Sequence, residues 1–332
     1  MGETMHAVVM HQRGQPSVLR YEQVARPQPA AGEVLVEIHA ATVNRTDLFH
    51  RSGRFFIQKP LPHILGMDVA GVVAGVGSGV AGWHAGDRVV ATFEALGRER
   101  DGAYAEFTTV PADQLRPVPD GLDLVAAASV GLAFTTAWVA LRRRAGLTAD
   151  DRLAVTAAAS GVGTSALQIG RWLGARTVAL TDPDKADRLR PLADAVVDRT
   201  AADVAVQVRR AAGGDGPTVV LELVGRATLR ASVSMLAPWG RVVCVGTLSG
   251  DLAELDVMEL LMKNASVLGS FGAITPQEHA EILARFADGS FQPVIDRVEP
   301  LSRARAAHEY LESGASFGKV VLVPDAKLPA SS

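Results

Sequence analysis

At 332 residues the chain exceeds an ordinary single domain, which points to two domains. Its 48% hydrophobic content suffices for a sizeable core, and a formal charge of −3 with scattered Lys and Arg excludes the electrostatic footprint of a nucleic-acid or anionic-membrane binder. The lone cysteine, Cys244, excludes a disulfide framework or cysteine zinc lobe, and within Arg-Val-Val-Cys-Val-Gly it reads as a small buried side chain. The dense basic cluster Arg142, Arg143 and Arg144 reads as a solvated helix end. No basic-then-apolar leader is legible, His6 stands where an acylation motif needs Ser or Thr, and no apolar run has spanning length. The expectation is a soluble cytoplasmic protein.

Residues 1 to about 120 alternate short strands with Gly and Pro breakers, a β-rich pattern whose strands are predicted over 6–11, 33–41, 68–76, 87–92 and 105–110. Around 122–144 the composition turns Ala- and Leu-rich at helical spacing. Residues 153–175 follow with an apolar run, a turn of tiny residues and a segment placing Ala166, Ile169 and Leu173 near helical spacing. This predicts strand, tight turn and helix. Small side chains at Ser160, Gly161, Val162 and Gly163 would let backbone N–H groups approach a pyrophosphate at the positive helix end. Ala158 and Ser160 occupy the first two glycine places of the usual fingerprint, so the turn alone also reads as an ordinary strand-to-helix connection.

Strands over 177–180, 195–197, 219–223 and 241–245 then alternate with helices over 185–192, 202–212 and 227–236. That alternation predicts a doubly wound parallel sheet with its ligand at the strands' carboxyl ends. A strand over 266–270 is followed by a helix over 276–287, residues 293–298, a helix over 302–313 and a strand over 319–323. This tail is predicted to return to the first domain, giving residues 1–124 completed by 275–332, with 125–274 as an inserted nucleotide-binding domain.

Several ordered stretches carry a resemblance. They are Gly32-Glu-Val-Leu-Val-Glu, Val43-Asn-Arg-Thr-Asp, Gly66-Met-Asp-Val-Ala-Gly-Val-Val, Gly86-Asp-Arg-Val, Gly102-Ala-Tyr-Ala-Glu-Phe, Ala158-Ala-Ser-Gly-Val-Gly, Leu236-Ala-Pro-Trp-Gly-Arg-Val-Val and Phe317-Gly-Lys-Val-Val-Leu. Together they resemble the medium-chain dehydrogenase/reductase superfamily, in particular its zinc-free quinone oxidoreductase (zeta-crystallin-like) branch. The resemblance implies an α/β protein with a GroES-like β-rich catalytic domain and a Rossmann doubly wound parallel-sheet nucleotide-binding domain.

The zinc-dependent relatives carry Cys where this chain has Asn44 and His-Glu where it has Met67-Asp68, so no zinc is expected here. His39, His50, His63 and His84 then read as ordinary surface or core residues. The implied reaction moves a hydride from NADPH to a quinone or other α,β-unsaturated carbonyl acceptor. Asn44 would be a polar catalytic contact near nicotinamide and substrate, or a turn residue bonding its own backbone. Asp47 and Asp68 read as structural. Phe49, Phe55 and Phe56 stand where relatives often have tyrosines, which removes a phenolic proton donor and leaves either an apolar substrate wall or plain core. Loops over 51–65 and 93–102 would shape the pocket.

The choice of dinucleotide rests on Thr181, at the end of the second strand, and on the cations Lys185 and Arg199, which favour NADPH over NADH. Asp182 and Asp184 argue the other way, and a solvated helix start would account for all four charged residues. Gly246, Thr247 and Phe271 follow strand ends and would meet the nicotinamide amide. Lys319 would reach the cofactor phosphates, or be an exposed strand-start lysine. The resemblance also implies a homodimer through the edge strand 266–270. Two other functions remain open: a reductase of a conjugated biosynthetic intermediate or zinc-free alcohol dehydrogenase, and a dinucleotide-binding protein with a structural or regulatory role.

Overall fold

The computed structural model describes residues 2–57, 59–92 and 96–328. The chain forms two compact units, Met1–Leu132 with Thr275–Ser332, and Ala133–Ile274. The first unit therefore runs on to Leu132, inside the long helix, where the sequence places the boundary at 124. Of the pocket loop expected over 93–102, residues 93–95 lie outside the described residues.

The first unit begins with β1 (Thr4–Met10), β2 (Leu19–Ala25), β3 (Glu33–Val43) and the helix α1 (Arg45–Ser52). Next come β4 (His63–Ile64), β5 (Asp68–Val76), β6 (Arg88–Thr92), β7 (Phe107–Pro111), β8 (Arg116–Pro117) and α2 (Leu124–Trp138). The second unit contains β9 (Arg152–Val155), α3 (Gly161–Trp172), β10 (Arg176–Thr181), α4 (Ala186–Leu189), β11 (Ala195–Asp198), α5 (Val204–Ala212), β12 (Val219–Glu222), α6 (Leu229–Met235), β13 (Arg241–Cys244), α7 (Val257–Lys263) and β14 (Ser266–Gly269). The chain then returns to the first unit with α8 (Pro276–Ala287), β15 (Ile295–Pro300), α9 (Ala304–Glu312) and β16 (Lys319–Val323). The helices α1 and α7 and the strand β2 have no counterpart among the predicted elements. Their patterns are weak because β2 buries only Leu19 fully and turns Tyr21, Gln23 and Ala25 to solvent, and α7 fully buries none of its side chains.

In the first unit a seven-stranded sheet runs β15-β16-β3-β5-β6-β8, with β7 also on β3, and a second sheet runs β2-β1-β4. The strand β3 is long and central. Val34, Val36, Ile38 and Ala40 are buried on its alternate positions, and Ala41, Thr42 and Val43 continue the burial where β16 covers it. Register places functional ends side by side: Val320 pairs with Val43, Ala41 with Val69 and Asp68 with Thr92. Lys319, Asn44, Thr42, Asp68 and Thr92 thus gather at one sheet end.

The second unit is a six-stranded parallel sheet in the order β11-β10-β9-β12-β13-β14. Counted within the unit this is 3-2-1-4-5-6, the dinucleotide-binding order, with its switch point between β9 and β12. The strand β14 forms one edge, as the predicted sheet requires.

One expectation is corrected. Leu124–Ala145, formed by α2 and the turns that follow, is a 22-residue helical stretch long and apolar enough to cross a membrane. Small residues (Ala, Gly, Ser, Thr) mask its apolar length to the eye. Its most apolar window is 83% buried inside the protein, as befits a core helix.

Candidate active site

In the first unit the site is built on the carboxylate of Asp68. Asp68 is fully buried and accepts from Thr42 Oγ1 at 2.5 Å, Asn44 Nδ2 at 2.9 Å, Leu132 N at 2.7 Å, and Thr92 Oγ1. Lys319 Nζ lies 3.5 Å from the same carboxylate and donates at 2.6 Å to Asn44 Oδ1. The remaining Asn44 donor meets Thr42 Oγ1 at 3.3 Å. Both amide protons of Asn44 are therefore committed. Asn44 caps the start of α1, and its side-chain amide also serves this cluster. Gly131 permits the arrangement, since a Cβ there would fall 2.1 Å from Asp68 Oδ1.

Lys319 is buried, with its ammonium held in the first unit on Asn44 and Asp68. It is therefore not an exposed strand-start residue. Burial pushes its pKa below the ordinary lysine value, while Asp68 and Asp47 pull it back up. Asp47 is also fully buried; its carboxylate accepts from Asn44 N at 2.8 Å, Gly66 N at 3.2 Å and the Tyr104 hydroxyl at 3.2 Å. Burial outweighs these bonds and raises its pKa to about 7.

Behind Asp47 a polar chain missed by sequence reasoning runs toward the surface. Arg51 donates to Glu312 and, at 3.1 Å, to His308 Nδ1. Because Arg is only a donor, His308 carries its proton on Nε2 and gives it to Tyr104 Oη, also at 3.1 Å. Burial, then Arg51, pushes the His308 pKa to about 3, so the ring is neutral. Burial, then Asp47, raises Tyr104 well above the usual phenol. Tyr104 lies in a quoted motif; His308 and Arg51 are separated by 257 residues, and no local pattern links them.

The donor set does not fit zinc. Met67 is buried against Leu132 and accepts a weak bond from Thr46 Oγ1 at 3.3 Å. The two carboxylates nearby, Asp68 and Asp47, are each occupied by donors, which for Asp68 include an ammonium. Among the described residues no three His, Cys, Asp or Glu side chains gather as a metal would require. Of the histidines, His63 bonds Gly97 O at 3.0 Å, His50 packs against Phe55 with ring centres 4.2 Å apart and tilted by 31°, His39 is half-buried and His84 exposed. Phe55 is core; Phe56 stacks on it at 4.5 Å yet is 70% exposed, and Arg54 covers the half-buried Phe49.

In the second unit the turn after β9 is tight and its geometry is local. Ala157 takes φ 45°, Ser160 caps α3 by accepting from Gly163 N at 3.1 Å, and the N–H groups of Gly161 and Val162 have no acceptor among the described residues. Two unpaired amides at a helix start fit a pyrophosphate oxygen. A Cβ on Gly163 would sit 2.6 Å from the carbonyl oxygens of Ala157 and Ala158. Gly163→Val should therefore displace the turn at a cost of about 1–3 kcal/mol and abolish dinucleotide binding, measured by fluorescence titration. Unchanged NADPH affinity would contradict the assignment.

Thr181 ends β10 opposite Asp198, its carbonyl accepts from Arg199 N at 2.9 Å, and the Arg199 guanidinium pairs with Asp182 at 2.7 Å. Lys185 is buried in the following turn. Gly246 and Thr247 follow β13 and pack on Gly225, while Phe271, after β14, is 66% exposed. Sequence reasoning missed Glu222, which ends β12 fully buried. It accepts from Thr228 Oγ1 at 2.7 Å, Ser232 Oγ at 2.5 Å, Val224 N at 2.7 Å and Gly225 N at 3.0 Å, fixing the loop beside the switch point. An acid closing the apolar run Val-Val-Leu-Glu was its signal.

A β-rich unit interrupted in sequence by a parallel 3-2-1-4-5-6 sheet is the architecture of a dinucleotide-binding protein. Residues 30–120 match the alcohol dehydrogenase GroES-like domain, and residues 193–322 match the zinc-binding dehydrogenase family. Pig quinone oxidoreductase (Sus scrofa) is 30% identical over 328 residues, covering 96% of this chain and 98% of the relative. A crystal structure of an NAD-dependent alcohol dehydrogenase superposes with TM-score 0.91 at 35% identity, covering 96% of this chain and 99% of the other. A mycobacterial protein complexed with NADPH superposes at 0.85 and 31% identity, covering 96% and 100%. The chain belongs to the medium-chain dehydrogenase/reductase superfamily, in its quinone oxidoreductase branch.

Proposed function

We propose that this oxidoreductase is NADPH-dependent and zinc-independent, and passes a hydride to a quinone or other α,β-unsaturated carbonyl compound. The observation that carries the reading is the Lys319 ammonium on Asn44 and Asp68, a cation of the chain's own beside a donor set unsuited to zinc. Without a metal to lower an alcohol's pKa, reduction of an already activated acceptor is the chemistry the residues support. When bound, the dinucleotide supplies the hydride. Gly161, Val162 and Gly163 would hold its pyrophosphate, and Gly246, Thr247 and Phe271 its nicotinamide end. Phe49 and Phe56 remain the proposed apolar contacts of a flat acceptor, with Phe55 supporting Phe56 from beneath. The test is NADPH oxidation with a panel of quinones and enones after exhaustive chelation. Turnover that survives chelation supports the reading, and turnover that needs added zinc would sink it.

The cofactor preference rests on Arg199 and Lys185 and is supported by the NADPH held by the mycobacterial relative. A second reading, NADH use, is favoured by Asp182, which already engages Arg199 and would repel a ribose phosphate. The two separate by mutation. Arg199→Ala should weaken NADPH about tenfold, the loss of one charge-assisted contact, and leave NADH unchanged, whereas Asp182→Asn should tighten NADPH. Equal losses for both cofactors in calorimetry would contradict a phosphate contact.

A cytoplasmic homodimer belongs to the same proposal. The edge strand β14 bears Val267, and the adjacent α7 leaves Val257, Met258, Leu261 and Met262 exposed, an apolar face suited to a second copy. Met262→Glu combined with Val267→Glu should yield monomers in sedimentation velocity. A dimer that survives both charges would place the contact elsewhere.

A further inference from the structure

We propose that the Lys319 ammonium is the acid of the reaction, binding the acceptor's carbonyl oxygen and giving it a proton as the hydride arrives; this rests on the reductase reading above. A lysine has three N–H donors. One goes to Asn44 Oδ1 at 2.6 Å and one toward Asp68 at 3.5 Å; the third has no acceptor among the described residues. Such a donor, held at the end of a buried side chain, is costly unless something meets it.

The cluster is open at Lys319, at Asn44 and at the half-buried Thr92, whose hydroxyl proton is already given to Asp68. Thr42 and Asp68 have no exposed surface, whereas Lys319 keeps 6% of its side chain exposed and Asn44 8% of its residue. A ligand reaching the cluster can meet Thr92, Asn44 and Lys319. Asn44 has already spent both amide protons on Thr42 and Asp68, so Lys319 alone has a proton to offer.

Three acids behind the cluster are turned away. Tyr104 is fully buried and gives its hydroxyl proton to Asp47; Asp47 has no exposed surface; and His308 is neutral with its one proton on Tyr104. Met67 and Leu132 form the cluster's apolar neighbour. A cation in such surroundings polarises a carbonyl more strongly than it would in water. Burial, by lowering the pKa of Lys319, also makes the ammonium a readier donor.

The step balances. As hydride adds to the conjugated carbon, the carbonyl electron pair moves onto oxygen, the Lys319 N–H bond breaks and an O–H bond forms. The dinucleotide is oxidised and the acceptor reduced to its enol, which becomes the saturated ketone. The neutral amine of Lys319 recovers its proton from water.

The experiment compares wild type with K319M and with K319M/D68N. The double variant removes both buried charges together, so a folded protein remains if the single variant fails. Enzyme loaded with NADP+ and carbonyl-labelled cyclohexenone is read by isotope-edited infrared spectroscopy, and turnover is read with NADPH. We expect the bound C=O stretch to fall to lower wavenumber in wild type and to lose that shift in the variants. Turnover should drop about 10²-fold or more at unchanged NADPH affinity. Variants that keep both the shift and wild-type turnover would overturn the proposal. A wild type that reduces enones without any shift would overturn it too, leaving the function standing. A shifted carbonyl in a wild type that reduces nothing would retain the Lys319 contact and refute the function.

Discussion

Asp68→Ala should lower the free energy of unfolding by about 3–5 kcal/mol, the cost of breaking a buried ion pair by removing one partner. The effect is large because Asp68 serves five groups at once: Thr42, Asn44, Thr92, the Leu132 amide and the Lys319 ammonium. All but the half-buried Thr92 are buried, with little solvent to replace it. The loss would appear as a shift of the denaturant midpoint at constant slope. Asp68→Asn should recover part of it, since one amide oxygen still accepts while the lysine charge stays uncompensated. A loss no larger than that of an ordinary surface substitution would mean the cluster is not closed as described.

Asp47→Asn should make stability less dependent on pH. The Asp47 carboxyl has an ordinary pKa near 3.8 in the unfolded chain and is raised to about 7 in the fold, chiefly by burial. At acid pH below 3.8 both states hold the proton and the group costs nothing. As pH climbs toward 7 the unfolded chain releases the proton while the native state keeps it, so stability falls; above 7 both are ionised and the loss is complete. The penalty, on the order of 4 kcal/mol at 1.36 kcal/mol per pKa unit, is absent in the Asn variant. Unfolding curves of the two proteins should therefore diverge between pH 4 and 7 and run parallel above. Parallel curves throughout would show that Asp47 ionises normally. The opposite sign would show that its three hydrogen bonds outweigh its burial.

The second unit was the more legible in sequence because each of its pieces is local. Apolar runs such as Val219–Glu222 alternate with helices, and the turn from Ala157 to Gly163 carries its own small residues. Edges were less sharp. The helix expected over 185–192 is a tight turn at Pro183–Lys185 followed by the single turn Ala186–Leu189, since proline starts it and Pro191 ends it.

In the first unit the strands were legible but their meeting was not. Asn44 was singled out, yet its partners come from β3, β5 and β16, far apart in sequence and joined only by register. In sequence Lys319 reads as a phosphate contact or a surface residue, because nothing in Phe-Gly-Lys-Val-Val reveals that antiparallel pairing with β3 carries it to Asn44. Asp47 and Asp68 read as structural ties in the sequence, where the ammonium that shares Asp68 is out of sight. Phe55 and Phe56 are adjacent in sequence and opposite in fate, one buried on His50 and one exposed.

The most direct measurement follows the hydride itself. Metal-free enzyme is given NADPH deuterated on its reducing carbon together with an enone, and the product is read by NMR. We predict deuterium on a single face of the carbon conjugated to the carbonyl, at a rate that chelator does not change. Deuterium retained in the cofactor, or transferred only after zinc is restored, would contradict the account.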